Sequence, residues 1–373
     1  MNYKPKILML LSNGLSPDPR VFKEAKTLVQ NNYDVTIYCL DRNCNLPETE
    51  VIDGIKIKRF RVGIVTPSSV LKTPIALWKF KGLINKETKN KSFDIVHAHD
   101  FDTASWGYFL AKKLKSKFVF DCHDLYFTQL PKGNFVLRIL RNTIKRLELL
   151  AAKKADLLIT VTENIGFKEN GLKEYFIDNN ITSDNIFVLW NYPTKLKKYE
   201  KTPNDKTIIS FIGSVRDVIG FENFLKIIKN NNSYEINIYG WGHKMEDLKV
   251  LATKYNVSLK ILGTLPYTEI GKAYAKSDII FSIYDANREN IKRAIAVKSF
   301  EANYFNVPVL ANKHTLNGEF VEKNNIGFAV ETTQDYLDAL KVIKTKKLKF
   351  TTKEFLWSNQ ENDFIATYNK TVY

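Results

Sequence analysis

Cysteine is scarce, with three in 373 residues. Cys39, Cys44 and Cys122 are odd in number and lack metal-ligand spacing, so neither a disulfide framework nor a zinc site is indicated. Long apolar runs are missing as well. None approaches the ~20 residues that a membrane-crossing helix needs. The early run KILMLLS has too short an apolar core for a secretory signal. It is followed by polar turn residues, not a small-residue cleavage site, so it reads as a buried strand of a cytoplasmic protein. Acidic residues are outnumbered: 40 Asp and Glu face 56 Lys and Arg, a net charge of +16. Such a balance suits nucleic acid, anionic lipid or an anionic substrate. There is no zinc-finger pattern, RNP-type aromatic strand or basic zipper, so a nucleic-acid partner is not expected. Neither G-x-G-x-x-G nor a Walker loop is present, which removes most support for a dehydrogenase or an ATPase.

What is present is alternation. Short runs rich in β-branched or aromatic residues (KILMLLS, DVTIYCL, IKIKRF, DIVHA, KFVFD, DLLITVT, IFVLW) are separated by helix-length segments such as PRVFKEAKTLVQNN and TASWGYFLAKKLK. That pattern predicts a parallel sheet with helices on both faces. A polar, proline-punctuated break, NYPTKLKKYEKTPNDK, interrupts it. The alternation then restarts with TIISFIG, EINIYG, SLKILG, DIIFSI, VPVLA and IGFAV. The expected fold class is α/β, with two doubly wound domains: residues 1–190, a linker at 191–205, and residues 206–351. The tail FLWSNQENDFIATYNKTVY reads as one more helix. Residues 134–155 form an apolar helix pattern carrying Arg138, Arg141, Lys145, Arg146, Lys153 and Lys154. It fits either an anionic membrane surface or a core-packed helix with a basic outer face.

Ligands of open parallel sheets bind beyond the carboxyl ends of the strands, and those ends carry the polar residues here. After the first strand, Gly14 permits a tight loop, Asp18 suits an N-cap and Pro19 the first helical position, which places Arg20 on a helix's opening turn beside an anion site. Strands four and five end in HAHD (His97, His99, Asp100) and DCHD (Asp121, His123, Asp124). A metal site there would need a third ligand that the spacing does not assure; a substrate-binding or proton-handling cluster is the other reading. In the second half, GSVRDVIG (Gly213, Ser214, Arg216, Gly220) and GWGHK (Gly240, Gly242, His243) are glycine turns where backbone can approach a diphosphate. They face the helix start AIAVKSFE. Lys298 and Glu301, three apart, share a helix face and suit a phosphorylated sugar, or are an ordinary surface salt pair.

The whole set resembles the family 4 glycosyltransferases of the GT-B fold, the retaining group of bacterial surface-polysaccharide assembly. DPRVFKEA, FDIVHAHDFDTA, FDCHDLY, FIGSVRDVIGFENFL, IYGWGHKMEDL, ILGTLPYTEIGKAYAKSDI, VKSFEANYFNVPVLA and the closing FLWSNQ…TYN occur in the family's order and spacing. The resemblance implies two Rossmann-like domains facing across a cleft, with the last helix (within 352–373) crossing back to complete the first. It implies a nucleotide-diphosphate sugar held by the second domain and a glycan or lipid-linked acceptor on the first. Glu301 matches the second carboxylate of E-x7-E, which holds ribose. His123 matches a histidine near the diphosphate, Gly14 a phosphate-facing loop, Gly240 and Gly242 the turn flanking the nucleotide, and Gly263 a strand end near the base. His97, His99, Asp100 and Asp124 fall on the acceptor side.

Two departures stand out. Arg293 occupies the place of the first carboxylate, and AVKSFE resembles a P-x-K-x-x-E branch with Ala296 for proline. Ser214 and Ile219 stand where the family has a basic pair, with Arg216 as the substitute for one of them. The expected chemistry is metal- and cofactor-free front-face transfer. The leaving diphosphate would be met by Arg216, Lys298 and Arg20, with the amides at Gly14 and near Ala296. A 2-epimerase on the same architecture and a catalytically silent partner subunit are the alternatives.

Overall fold

The computed structural model describes residues 3–16, 18–64, 72–130, 133–345 and 348–372. Its elements run β1 (Lys6–Leu11), α1 (Pro19–Gln30), β2 (Asp34–Leu40), β3 (Thr49–Ile52), β4 (Ile55–Phe60), α2 (Lys72–Glu87), β5 (Ile95–His99), α3 (Asp100–Leu114), β6 (Lys117–Cys122), α4 (Phe135–Lys154), β7 (Leu157–Thr160), α5 (Leu172–Asp178) and β8 (Ile186–Val188). They continue β9 (Thr207–Ile212), α6 (Ile219–Ile227), β10 (Tyr234–Tyr239), α7 (Met245–Lys254), β11 (Ser258–Ile261), α8 (Gly271–Ala275), β12 (Ile279–Ser282), α9 (Glu289–Arg293), α10 (Val297–Phe305), β13 (Val309–Asn312), α11 (Leu316–Lys323), β14 (Gly327–Val330), α12 (Thr333–Thr345) and α13 (Glu361–Val372).

The chain forms two compact units. The first comprises Met1–Val161, Lys173–Trp190 and Gln360–Tyr373; the second comprises Thr162–Leu172 and Asn191–Asn359. Among the described residues, the first sheet has eight strands in the order β3-β4-β2-β1-β5-β6-β7-β8, and the second has six in the order β11-β10-β9-β12-β13-β14. All the pairings are parallel except β3 with β4. Strands such as β1 and β10 are buried almost end to end, as expected where helices cover both faces of a parallel sheet. Strand order reverses direction at β1/β5 in the first sheet and at β9/β12 in the second. Crevices at such switch points are where ligands of open α/β sheets sit.

The β3–β4 hairpin is absent from the sequence reading, although its signal is there. VIDGIKI places Asp53-Gly54 between apolar residues, and both take positive φ (50° and 82°), the requirement of a tight two-residue hairpin turn. The C-terminal segment also differs from one long helix. Residues Trp357–Asn359 make a 3-10 turn and only Glu361–Val372 is α-helical. Helix α13 packs in the first unit against α1, with the Tyr33 hydroxyl donating to Asn369 Oδ1 at 2.6 Å.

The domain limits shift as well. Residues 352–359 cluster with the second unit because Phe355 packs on Phe300 and Phe320, and the Trp357 amide donates to Pro193 O at 2.8 Å. Residues 162–172 join it too: Lys168 N–H donates to Glu319 at 2.6 Å, and Lys323 Nζ to Ile165 O at 2.9 Å. Part of the lysine-rich stretch KTKKLKFTTK lies outside the described residues.

Candidate functional site

In the second unit the predicted residues gather at the β9/β12 switch point. Pairing of β9 with β12 covers only Ile209 and Ser210. Phe211 lies beyond it, and Lys298, on the first turn of α10, reaches over its ring. Lys298 is buried, its Nζ is 3.5 Å from the Phe211 ring centroid and 5.2 Å from that of Tyr284, and among the described residues it has no hydrogen-bond acceptor. Aromatic faces offset part of an ammonium's desolvation, but a buried charge without an anion remains costly. Burial accordingly draws its pKa down to about 7, with Glu301 pulling the other way. An anion arriving here would find a cation with its hydrogen-bonding capacity unspent.

The surroundings divide between open and occupied groups. Ala296 N–H, expected to face the diphosphate, instead donates to Asn317 Oδ1 at 3.2 Å, an oxygen that also accepts from Ser299 Oγ at 2.8 Å. The N–H groups of Val297 and Lys298 are the ones that helix geometry leaves without an intrahelical acceptor. Glu301 shares the face of Lys298 but is buried between tyrosines: Tyr274 donates to Oε2 at 2.6 Å and Tyr267 also bonds the carboxylate. Burial, reinforced by the Glu301 charge, pushes both phenols up. Glu301 thus serves first as a brace between α10 and the α8 region. A carboxylate has about four acceptor sites, so bonding to ribose would come in addition to these contacts. The two tyrosines were missed because nothing local in sequence links positions 267 and 274 to 301.

The glycine turns have a structural reason of their own. The loop after β9 is strapped to the loop after β10 by Gly213 N–H to Tyr239 O (2.9 Å) and Val215 N–H to Trp241 O (2.8 Å). A Cβ on Gly240 would lie 1.8 Å from Gly213 O, and one on Gly242 would lie 2.1 Å from Val215 O. Backbone, then, is what approaches these glycines closely. Gly213 itself needs its φ of 134°. Gly263 is different: its φ is 73° with open space around it, so conformation rather than crowding requires glycine there. Ser214 is half-buried and Arg216 exposed on the strapped loop. Arg216 lies close enough to act electrostatically on Tyr284, the phenol beside Lys298. Asp217, Asp285 and Arg288 interact in the same neighbourhood, and burial raises the Asp217 carboxyl; the sequence reading had not singled them out.

Arg293, at the place of the family's first carboxylate, pairs with Glu289 at 3.0 Å and donates to Gly171 O at 3.4 Å. Its carbonyl accepts from Thr162 Oγ1 at 2.7 Å. The departure is therefore a strap that ties α9 to residues 162–172.

In the first unit the β1/β5 switch point holds a buried charge cluster. Arg20 was expected to meet a diphosphate; instead its guanidinium is buried and fully engaged. It bonds Asp121 through Nε (3.1 Å) and Nη2 (2.7 Å), Leu189 O through Nη1 (2.8 Å), and sits 3.0 Å from Glu24 Oε1. Asp121 also faces His99 Nδ1 at 3.0 Å and His123 Nε2 at 2.5 Å. Despite burial, these partners hold its carboxyl well below the usual range. His123 lies between Asp121 and Asp100, whose Oδ2 is 3.4 Å from Nδ1. Against the opposing effect of burial, the two carboxylates raise its pKa well above that of an ordinary histidine and so favour the imidazolium. Glu24 goes the other way, pushed well up by burial and by the Asp121 charge. His97 and His99 are buried neutral rings 4.1 Å apart, with His97 bonded to the Tyr368 hydroxyl of α13. Asp124 is half-buried on the loop after β6.

Sequence spacing alone assures no third metal ligand. The fold supplies candidates, because Glu24, His97, His99 and Asp121 bring donor atoms within 4.8 Å of one another. Arg20 already places its positive charge against both carboxylates of that set. Gly14 is also revised. The left-handed conformation falls on Leu15 (φ 54°), and Gly14 O accepts from the buried Arg59 at 2.9 Å.

Two Rossmann-like units with polar residues collected at their switch points define a two-domain GT-B protein. A family model described as Glycosyltransferase Family 4 matches residues 20–188, and one described as Glycosyl transferases group 1 matches residues 193–351. The chain belongs to the family 4 glycosyltransferases. Among solved structures it resembles sucrose-phosphate synthase from Thermosynechococcus elongatus, with TM-score 0.78, 14% identity, and 98% of this chain and 99% of that one covered. It also resembles Anabaena HepE in complex with UDP-glucose (TM-score 0.67, 14% identity, 98% and 99% covered). A UDP-N-acetylglucosamine 2-epimerase shares the fold at TM-score 0.55, 14% identity, and 98% and 91% coverage. No curated protein matches the chain.

Proposed function

We propose that the chain is a retaining hexosyltransferase. It takes its sugar from a nucleoside-diphosphate donor, UDP- or GDP-linked, and passes it to a glycan or lipid-linked glycan in cell-surface polysaccharide synthesis, on the cytoplasmic side. The observation that carries the reading is Lys298, a buried ammonium at the first turn of α10 without an acceptor among the described residues. The complexes of Anabaena HepE with UDP and UDP-glucose favour a uridine donor.

In this reading Lys298, the α10 amides and Arg216 neutralise the leaving diphosphate without a metal ion. The bond from the sugar's anomeric carbon to the donor phosphate breaks. A bond to the acceptor oxygen forms on the same face, and the acceptor's proton passes to the departing phosphate oxygen. Glu301, held by two tyrosines, is not placed in the role of nucleophile.

The test is sugar transfer from UDP-, GDP- and ADP-sugars, with and without glycan acceptor and with a chelator, read by nucleotide release and by product NMR. Release that depends on acceptor, survives chelation and keeps the donor's anomeric configuration is expected. Two rivals have their own observations: the fold shared with a 2-epimerase, and Arg293 in place of the first carboxylate. Donor turnover without acceptor would favour the epimerase. Nucleotide binding with no turnover of any donor would favour a silent partner subunit.

A further inference from the structure

In the first unit, α3 packs against both α2 and α4 in one helical layer on the sheet. A surface helix ordinarily turns its large apolar side chains inward. Helix α4 does the reverse. Its fully buried residues are Glu148, Ala151 and Ala152, and Leu137, Ile144 and Leu149 are half-buried. Phe135 (65% exposed), Val136 (68%), Ile139, Leu140, Leu147 and Leu150 all face out. At 100° per residue these six positions fall within an arc of about 140°, an apolar stripe along the helix into which Thr143, Arg146, Lys153 and Lys154 are interleaved. In the same helical layer, Trp78 on α2 is 73% exposed, with Ile75 also exposed, and Phe109 on α3 is 62% exposed.

The exposed charge of α4 has one sign. Helix α4 carries Arg138, Arg141, Lys145, Arg146, Lys153 and Lys154, and its only acid, Glu148, is buried and bonded to the Tyr126 amide at 2.9 Å. Arg138 lies over the exposed Phe135 ring at 5.4 Å from its centroid. Lys79 is exposed on α2 next to Trp78. The core-packed reading of residues 134–155 therefore does not hold, since the stripe is on the outside.

We propose that this face of the first unit docks on an anionic lipid bilayer. The stripe would enter the headgroup–acyl boundary, and the guanidinium and ammonium groups within and beside it would meet lipid phosphates. Trp78 suits that boundary, having an apolar ring and a polar N–H. A second copy of the chain is a poor occupant, because the same face brings cation against cation with no exposed acid on α4 to answer it. No described helix is long and apolar enough to cross a membrane, so docking is peripheral. The surface is read independently of the transfer chemistry, and its test reads binding instead of turnover.

The test is co-sedimentation of the full chain with phosphatidylcholine vesicles, with and without phosphatidylglycerol, while Trp fluorescence is recorded. Binding to the anionic vesicles only, a blue shift that Trp78→Phe diminishes, and weakening with salt are expected. Val136→Ser with Leu147→Ser, and separately Arg146→Glu with Lys153→Glu, should each lower the binding at least tenfold at unchanged thermal midpoint, since all four side chains are exposed. Absence of binding to anionic vesicles at low salt overturns the proposal. So does binding that the serine pair leaves intact, because charge alone then accounts for it. A concentration-dependent dimer, or capture of an acidic protein, that the same variants abolish while vesicle binding persists would reassign the face and also overturn it.

Discussion

Two of the buried cations lie at the switch points of the two sheets, and they are opposites. Arg20, at the β1/β5 switch point, has two carboxylates and a carbonyl around its guanidinium. Lys298, at the β9/β12 switch point, has two aromatic rings and, among the described residues, no acceptor. Both began as candidates for the same task, neutralising a diphosphate. The difference shows that burial of a cation says little until its partners are counted. A satisfied guanidinium holds a fold together, whereas an unsatisfied ammonium detracts from stability and has capacity left for a ligand.

The largest effect should come from breaking the satisfied side. Arg20→Met leaves Asp121 buried against two histidines alone and should cost about 3–5 kcal/mol, the range for removing one partner of a buried pair, measured by urea unfolding. Asp121→Asn should be comparable. Glu24→Gln, which replaces a carboxyl that burial and Asp121 already push toward its neutral form, should cost less than about 1 kcal/mol. If all three cost the same, the division of charge within the cluster is wrong. Next in size, Tyr274→Phe removes a hydroxyl from the buried Glu301 and should destabilise by about 1–3 kcal/mol. Part of that loss should return in the double variant with Glu301→Gln.

The unsatisfied side should respond in the opposite direction. Lys298→Met removes a desolvated charge in a volume it can fill, so the thermal midpoint should hold or rise. The pH dependence sharpens this. The folded pKa of Lys298, about 7, lies below the unfolded value of about 10.4. Between those limits the unfolded chain binds more protons, so stability should rise with pH across that window in wild type relative to Lys298→Met. His123 has the opposite sign. Its raised folded pKa gives a contribution that is complete below about pH 6.5 and is lost as pH climbs through the folded value. Histidine NMR titration should find one imidazolium persisting well above neutrality, and its absence in His123→Gln would assign it.

Much of the architecture was legible because a parallel sheet buried on both faces writes itself as short β-branched runs between helix-length segments. The Asp18 cap, with Val21 N–H donating to it at 3.3 Å, and the neighbourhood of Lys298 were legible for the same local reason. What was not legible depends on pairings distant in sequence. Arg20 could not be seen to lie against Asp121, nor Glu301 against Tyr267 and Tyr274. The glycines at 240 and 242 read as openings for a ligand, yet their nearest constraint is the backbone of another loop. Helix α4 had an apolar pattern but no local sign of which face would turn outward. Only the β3–β4 hairpin was missed despite a local signal, the Asp53-Gly54 turn.

The most direct measurement is calorimetric titration of UDP and GDP into wild type and Lys298→Met on either side of pH 7. With Lys298 as the anion site, wild type should bind one nucleotide, with affinity falling as pH rises above about 7, where free Lys298 loses its charge. Lys298→Met should bind at least tenfold more weakly, about 1.4 kcal/mol, without loss of thermal stability. Equal affinity in the two proteins, with the same pH profile, would contradict the account.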